Sequence, residues 1–301
     1  MDRAQWLEER KKGIGGSEAA PILGLSPWKS AYQVWEDKTG LSTGEAVDTP
    51  QMAYGRLVEP VLRQWYSNET GRSVSVPELL VHPKHDFIIG SLDGVTNDNR
   101  LLEIKTARSA KDWGEPGTDQ IPVYYTTQIQ HYLMITGFVV ADVVVSFAGS
   151  IPEIYEVPAD PELQEMLLDC EYNFWQMVIQ RIPPEPVSYS DMLSRFGGKS
   201  IPNSVAATDD ALEAWSELKK IKAASKRLET EEAAARAVIM KLLGENDTLV
   251  GISGRPLVTW KKSKDSTVFD EERFKAACPK TYSRFQKTKT GSRRFLLKEE
   301  K

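Results

Sequence analysis

Three side chains in the middle of the chain have the types and spacing that metal-assisted hydrolysis needs. They are Asp93, Glu103 and Lys105, carried by FIIGSLDGVTNDNRLLEIK at residues 87–105. Runs at 87–95 and 100–106 read as strands, and the polar set 96–99 between them has the composition of a turn. With Asn97, Asp98 and Asn99 as a three-residue loop, Thr96 pairs with Arg100 and Asp93 falls opposite Glu103. Lys105 shares their face about 6–7 Å further along the strand, while Leu102 and Ile104 point the other way, into a core. Two carboxylates and an ammonium on one face suit a hard divalent cation and an activated water. A solvated, charged edge hairpin is the competing reading of the same triplet. The rest of the chain has to decide between them.

Other polar groups fall where neighbouring elements would present them. A helix is expected over 50–70, with Pro60 interrupting or kinking it and Gly55, Val58, Leu62, Trp65 and Tyr66 marking its buried stripe. Glu59 lies beside that stripe and needs a partner, either a metal or an arginine such as Arg56 or Arg63. A helix opening at Ile121-Pro122 and running to about Ile135 puts Gln128 and Tyr132 on one face. Near the start, GIGGSEAAPILG at 13–24 reads as a glycine turn into a helix capped by Ser17. The free N–H groups there could meet an anion, with Arg10 close by, although a plain capped helix has the same signature.

The remaining elements frame these groups. Ser30 is expected to cap a helix at 31–38 that stops at Gly40, and 73–82 reads as a strand. ADVVVSF at 141–147 has the composition of a buried strand, 151–157 of its hairpin partner, and 161–181 of an amphipathic helix. Prolines at 182–186 end that helix, and 189–204 reads as linker. The expected organisation is therefore a domain at 1–186, a linker at 187–207 and a second region at 208–301. That region opens with one long helix, 209–243, ended by Gly244. A hairpin about Ser253-Gly254, a helix and a final strand follow.

Composition narrows the chemistry. With 301 residues, 41% hydrophobic and 27% charged, the chain is of ordinary globular type and holds one large domain or two of common size. No run is long enough for a bilayer span and MDRAQWLEERKK has no apolar signal core, so a cytoplasmic protein is expected. Two cysteines and three histidines exclude a four-cysteine zinc or iron–sulfur site and disfavour a histidine-rich zinc centre. A metal would be held by oxygen, which points to Mg²⁺, with Mn²⁺ as a substitute. The net charge is −5, yet residues 251–301 carry fourteen Lys/Arg against six Asp/Glu. Such an asymmetry permits a local phosphate-binding surface, with Phe269, Phe274, Tyr282, Phe285 and Phe295 interleaved. A small domain with buried aromatics and solvated lysines would read the same way.

Four blocks then occur in a telling order: GIGGSEAAPILGLSPWKS, GRLVEP, GSLDGV with LLEIK, and YYTTQIQHYLMITG. Together, over roughly residues 6–180, they resemble the YqaJ-type phage recombination exonucleases, relatives of lambda exonuclease within the PD-(D/E)xK nuclease superfamily. The proline that usually precedes the first aspartate is Leu92 here. The resemblance implies an α/β (α+β) restriction-endonuclease-like core, a central mixed sheet flanked by helices, plus a C-terminal helical/β extension. It implies that Asp93, Glu103, Glu59 and the carbonyl of Ile104 ligate Mg²⁺ and that Lys105 orients or deprotonates the attacking water. Gln128 and Tyr132 match a Gln-x-x-x-Tyr motif that steadies the site. Trp6, Arg10 and Ser17, with Lys29 as a weaker candidate, match a segment that holds a DNA 5′-phosphate.

The implied activity is 5′→3′ exonuclease action on linear double-stranded DNA. It would leave 3′ single-stranded tails for recombination of phage type by single-strand annealing. The implied partners are DNA ends, a single-strand annealing recombinase and further copies of the chain, as a ring-shaped trimer. Alternatives are an endonuclease on the same core and a non-catalytic DNA-end-binding scaffold. A binding module has no physical need for the full Asp93, Glu103, Lys105 set.

Overall fold

Period-2 apolar runs become strands and period-3.6 runs become helices in the computed structural model, which describes residues 8–42, 49–288 and 291–298. In chain order the first unit holds β1 (Ile14–Gly15), α1 (Gly16–Ile22), α2 (Ala31–Thr39), α3 (Pro50–Thr70), β2 (Val74–Ser75), β3 (Leu80–Val81), β4 (Ile88–Gly90), β5 (Gly94–Thr96), β6 (Leu101–Ala107), α4 (Val123–Thr136), β7 (Val140–Phe147), β8 (Glu153–Pro158), α5 (Pro161–Gln180) and α6 (Tyr189–Phe196). The second holds α7 (Asp209–Leu243), β9 (Thr248–Val250), β10 (Pro256–Thr259), α8 (Glu271–Ala277) and α9 (Pro279–Arg284). The division falls between Arg195 and Phe196, so the last residue of α6 is counted with the second unit.

The main sheet has the order β2-β5-β6-β7-β8, with β6 and β7 parallel and the other pairs antiparallel. Parallel neighbours need a long crossover, and α4 supplies it. The sheet is covered on both sides, which is why β7 carries the unbroken run Val143-Val144-Val145, each fully buried. Leu101, Val143 and Val145 pack in the larger core with Ile129 and Leu133 of α4 and Phe174 of α5. Leu102, Ile104 and Val144 pack in the second core with Leu62 and Tyr66 of α3. The alternation assigns Glu103 and Lys105 to the α4 side of β6.

A smaller sheet, β1-β4-β3, lies beside the first segment of the chain. The stretch 87–95 is therefore not one strand. It breaks after Gly90 and its two halves join different sheets. Glycines stand on both sides of the break, where residues distant in the chain leave no room for a side chain. A Cβ at Gly90 would lie 3.0 Å from Ile135 of α4, and one at Gly94 would lie 2.5 Å from Val74 of β2. The expected strand at 73–82 is divided in the same way between β2 and β3.

Four other expectations are corrected. Ser17 does not cap α1, because Gly15 holds the cap position and Glu18 accepts its N–H at 2.9 Å. Pro60 sits inside an unbroken α3. The stretch read as linker contains α6, whose Asp191 is buried and accepts the N–H groups of Val187 and Ser188 and the Ser30 hydroxyl at 3.0–3.1 Å. Among the described residues, 291–298 form no strand, and a second short helix, α9, follows α8. Within the second unit, α7 is capped by Thr208 as a single helix, and Gly254 turns β9 into β10 at φ 75°.

Candidate functional site

The hairpin between β5 and β6 has the register read from its turn. Gly94 faces Leu102 and Val95 faces Leu101, so Asp93 continues the ladder opposite Glu103. Thr96 N–H donates to the Arg100 carbonyl at 3.0 Å, and Asn99 takes the left-handed conformation at φ 61°, which asparagine tolerates better than most residues. Because the chain breaks between β4 and β5, Asp93 stands at the junction of the two sheets, just before β5 begins. Its Oδ2 accepts the Ile104 N–H at 2.8 Å, and its carbonyl accepts Arg63 Nε at 2.9 Å.

Glu103 is almost fully buried. Its Oε1 accepts Lys105 Nζ at 2.6 Å and Gln128 Nε2 at 2.8 Å, while Oε2 is buried with no hydrogen-bond partner. Burial and the nearby Asp93 carboxylate push Glu103 up to about 8. Burial raises Asp93 as well, and burial followed by Asp93 raises Glu59. Burial works against the Lys105 ammonium, but Glu103 and Asp93 outweigh it and the net shift is upward, so Lys105 is a cation. Gln128 from α4 closes the group, accepting from Lys105 Nζ at 3.0 Å and lying 3.3 Å from the Tyr132 hydroxyl. Burial, then Glu103, raises that phenol, which is therefore a neutral hydrogen-bonding group. The Tyr125 ring sits 4.8 Å from Lys105 Nζ.

Glu59 reaches this region from α3, bonded to Arg63 one turn later. Arg63 thus ties α3 to both Glu59 and the Asp93 backbone. With Glu59 turned onto Arg63, no three His, Cys, Asp or Glu side chains among the described residues are already grouped as a metal cage. Asp93 and Glu103 are the two carboxylates the fold brings together. The buried, unpartnered Glu103 Oε2 fits a hard cation, since an uncompensated carboxylate oxygen is costly and Mg²⁺ or Mn²⁺ takes oxygen donors.

The N-terminal candidates form a second cluster. Arg10 Nη2 donates to Ser17 Oγ at 2.8 Å. Trp6 lies outside the described residues. Glu18, next to Ser17, is bound by Lys38 Nζ at 2.7 Å and stands 3.8 Å from Arg10, and Lys38 also donates to the Arg10 carbonyl at 2.6 Å. Burial lowers the Lys38 ammonium, and Glu18 opposes that shift. The two clusters meet at Tyr132. A Cβ at Gly16 would lie 2.5 Å from its ring, and the Arg10 charge acts on its hydroxyl. Lys29 is instead paired with Asp37.

Sequence reading missed Glu18, Lys38 and Tyr125 as parts of these clusters. Glu18 had a signal, because an acid three residues after the cap position is a capping pattern. Lys38 had none, being brought to Glu18 by the packing of α2. Tyr125 precedes Gln128 by one turn of α4, so a helical count from Gln128 would have found it.

Residues 5–139 match the YqaJ-like viral recombinase domain. The uncharacterized protein YqaJ of Bacillus subtilis (strain 168) is 34% identical over 181 residues, 58% of this chain and 56% of that protein. The uncharacterized protein R354 of Acanthamoeba polyphaga mimivirus is 27% identical over 145 residues, 44% of this chain and 26% of that protein. The chain thus spans about half of the first relative's length and about a quarter of the second's. The crystal structure of an alkaline exonuclease, LHK-Exo, from Laribacter hongkongensis superposes with a TM-score of 0.51 at 22% identity, over 60% of this chain and 94% of that one. The same enzyme in complex with dAMP gives a TM-score of 0.50 at 21% identity, with the same coverage. The expected architecture, a central mixed sheet flanked by helices, is the one observed, and it is shared with the LHK-Exo structure.

Proposed function

We propose that the chain is a Mg²⁺-dependent nuclease that degrades linear duplex DNA from its 5′ ends, leaving 3′ single-stranded tails for recombination. One observation carries this reading. A buried glutamate, Glu103, keeps one oxygen unpartnered beside a second carboxylate and a buried ammonium. The His131–Glu171 pair also has a buried, unpartnered carboxylate oxygen, so what sets Glu103 apart is Asp93: burial and that second carboxylate push Glu103 up to about 8, a cost that a bound cation would relieve. The match to a viral recombinase domain over residues 5–139 supports the same reading.

Asp93 and Glu103 would hold the metal. Glu59 would join on release from Arg63, and the Ile104 carbonyl would be a further ligand. A bound divalent cation supplies a hydroxide near neutral pH and neutralises charge on the phosphorane-like transition state. The chain's own groups do the rest. Lys105 cannot ligate a cation, and it offers its N–H donors to the attacking oxygen or to the phosphate oxygens. Gln128 fixes the orientation of Lys105 and Glu103 together, and Tyr132 backs it. Arg10 and Ser17 offer a cation and a hydroxyl to a terminal phosphate, with Lys38 neutralising the Glu18 carboxylate that would otherwise repel it. Such a pocket would select ends over internal sites. A single-strand annealing protein is the partner this product calls for, and assembly as a trimer would enclose the duplex.

The test uses purified protein, Mg²⁺ and EDTA controls on three DNAs: linear duplex with 5′-phosphate, the same duplex with 5′-hydroxyl, and closed circular plasmid. Nucleotide release from the phosphorylated linear duplex alone is expected. Cutting of the circle would make the chain an endonuclease, and binding without cleavage would make it a scaffold. Arg10→Ala should narrow the difference between the two linear substrates. An equal loss on both would remove Arg10 from the pocket.

A further inference from the structure

A run of aromatic rings leads from the surface of the first unit to Lys105, and no step described above uses its outer part. Trp28 is 68% exposed, high for an indole, the largest of the side chains. Its ring meets Tyr124 in a T-shaped contact at 4.8 Å, and Tyr124 meets Tyr125 at 4.6 Å. Tyr125 lies in turn 4.8 Å from Lys105 Nζ. Trp28 is not loosely hung. Ser26 Oγ accepts the N–H groups of both Trp28 and Lys29, at 3.2 and 3.3 Å, which fixes the turn that presents the indole. A cleft of about 440 Å³ opens beside it, lined by Leu23, Pro27, Trp28, Lys29 and Val187.

We infer that Trp28, backed by Tyr124, is a stacking platform for a nucleobase of the strand being cut, one or a few nucleotides from the scissile phosphate. The inference rests on the nuclease reading above. A strand end that reaches a buried carboxylate pair must leave its duplex partner and lose base stacking, and an exposed indole replaces that stack for any base. The occupant is therefore a base rather than an apolar peptide. The rings run towards the group that would touch its phosphate. Because stacking is blind to base identity, the platform would hold a substrate of any sequence.

The experiment compares the full-length wild type, Trp28→Ala and Trp28→Phe in EDTA, so that binding is read without cleavage. The probe is a fluorescent 5′-phosphorylated duplex with an unpaired end, together with a series in which an abasic site is moved one nucleotide at a time. Trp28→Ala should bind the intact probe about tenfold more weakly, the scale of one base–aromatic stack, and Trp28→Phe should recover most of the loss. With the abasic site at the stacked position, wild type and Trp28→Ala should bind alike. Undiminished binding by Trp28→Ala, or a loss that persists at every abasic position, would overturn the platform. If the wild type still degrades phosphorylated linear DNA in Mg²⁺, that failure leaves the nuclease reading standing. A wild type that neither binds nor degrades DNA overturns both.

Discussion

Helix α4 touches two buried acid–base pairs, and they are built on opposite principles. On one side His131 Nδ1 meets Glu171 at 2.7 Å and Nε2 meets the Ile89 carbonyl at 2.9 Å, both side chains fully buried. Each ring nitrogen faces an acceptor, so a protonated imidazole donates twice and one charge balances one charge, with Glu171 Oε2 left buried and unpartnered. On the other side Gln128 touches Glu103 and Lys105, where a second carboxylate, Asp93, acts on Glu103 and a third, Glu59, stands nearby. The first pair ties α4 to α5 and to β4. The second crowds three carboxyl groups against Lys105 and Arg63, and burial with the Asp93 carboxylate pushes Glu103 up to about 8. Stability explains the balanced pair, whereas the unbalanced one is costly unless something binds it.

The comparison is broken most severely by removing charge from the unbalanced side. Glu103→Gln should reduce cleavage of linear duplex by at least about a hundredfold, the scale of losing one preorganised electrostatic contact. It should not lower the thermal midpoint, because it also removes a repulsion with Asp93. Activity assays and calorimetry on one preparation decide it. A variant that stays active, or that loses much stability, would mean Glu103 is structural. Glu171→Leu is the mirror experiment. It strands a buried imidazolium and should cost about 3–5 kcal/mol in denaturant unfolding, with turnover per folded molecule largely kept.

A subtler probe is pH. Burial works against the His131 cation, but Glu171, the Ile89 carbonyl and Glu18 outweigh it, so its pKa is raised in the folded protein. The folded state then holds the proton more tightly than the unfolded chain. The stabilisation is complete below the ordinary histidine value of about 6.5 and disappears as pH rises through the raised one. The difference in unfolding free energy between wild type and His131→Gln should therefore shrink with rising pH above about 6.5. A difference that grows over that interval would mean the ring is neutral when buried.

What was legible in the sequence follows the range of the forces involved. The Asp93–Glu103 register depends on a three-residue loop and a period of two, both local, and it stands in the structure as read. So do the bounds of α3 and α7, each fixed by a capping threonine and a terminal glycine. At the break after Gly90 the flanking glycines are crowded by Ile135 and Val74, far away in the chain, and no local pattern signals that crowding. The Arg63 bridge was half legible. Its pairing with Glu59 is a one-turn helix rule, but its bond to the Asp93 carbonyl exists only because α3 packs against β6 and β7.

Two lysines, one just before α2 and one in its last turn, give the smallest expected effect and the sharpest contrast. Both carry an acidic partner, yet only one is built into the pocket. Lys38 has a side chain 2% exposed, fixed to Glu18 and the Arg10 carbonyl, whereas Lys29 is about one-third exposed and paired with the still more exposed Asp37. An exposed pair contributes about 0–1 kcal/mol, and its loss leaves no buried charge behind. Lys29→Ala should therefore leave the preference for 5′-phosphorylated over 5′-hydroxyl ends unchanged, while Lys38→Met should erode it by exposing the terminal phosphate to Glu18. The measurement is the ratio of initial rates on the two ends for each variant. If Lys29→Ala lowers that ratio as much as Lys38→Met, the terminal phosphate is bound at the surface rather than beside Arg10.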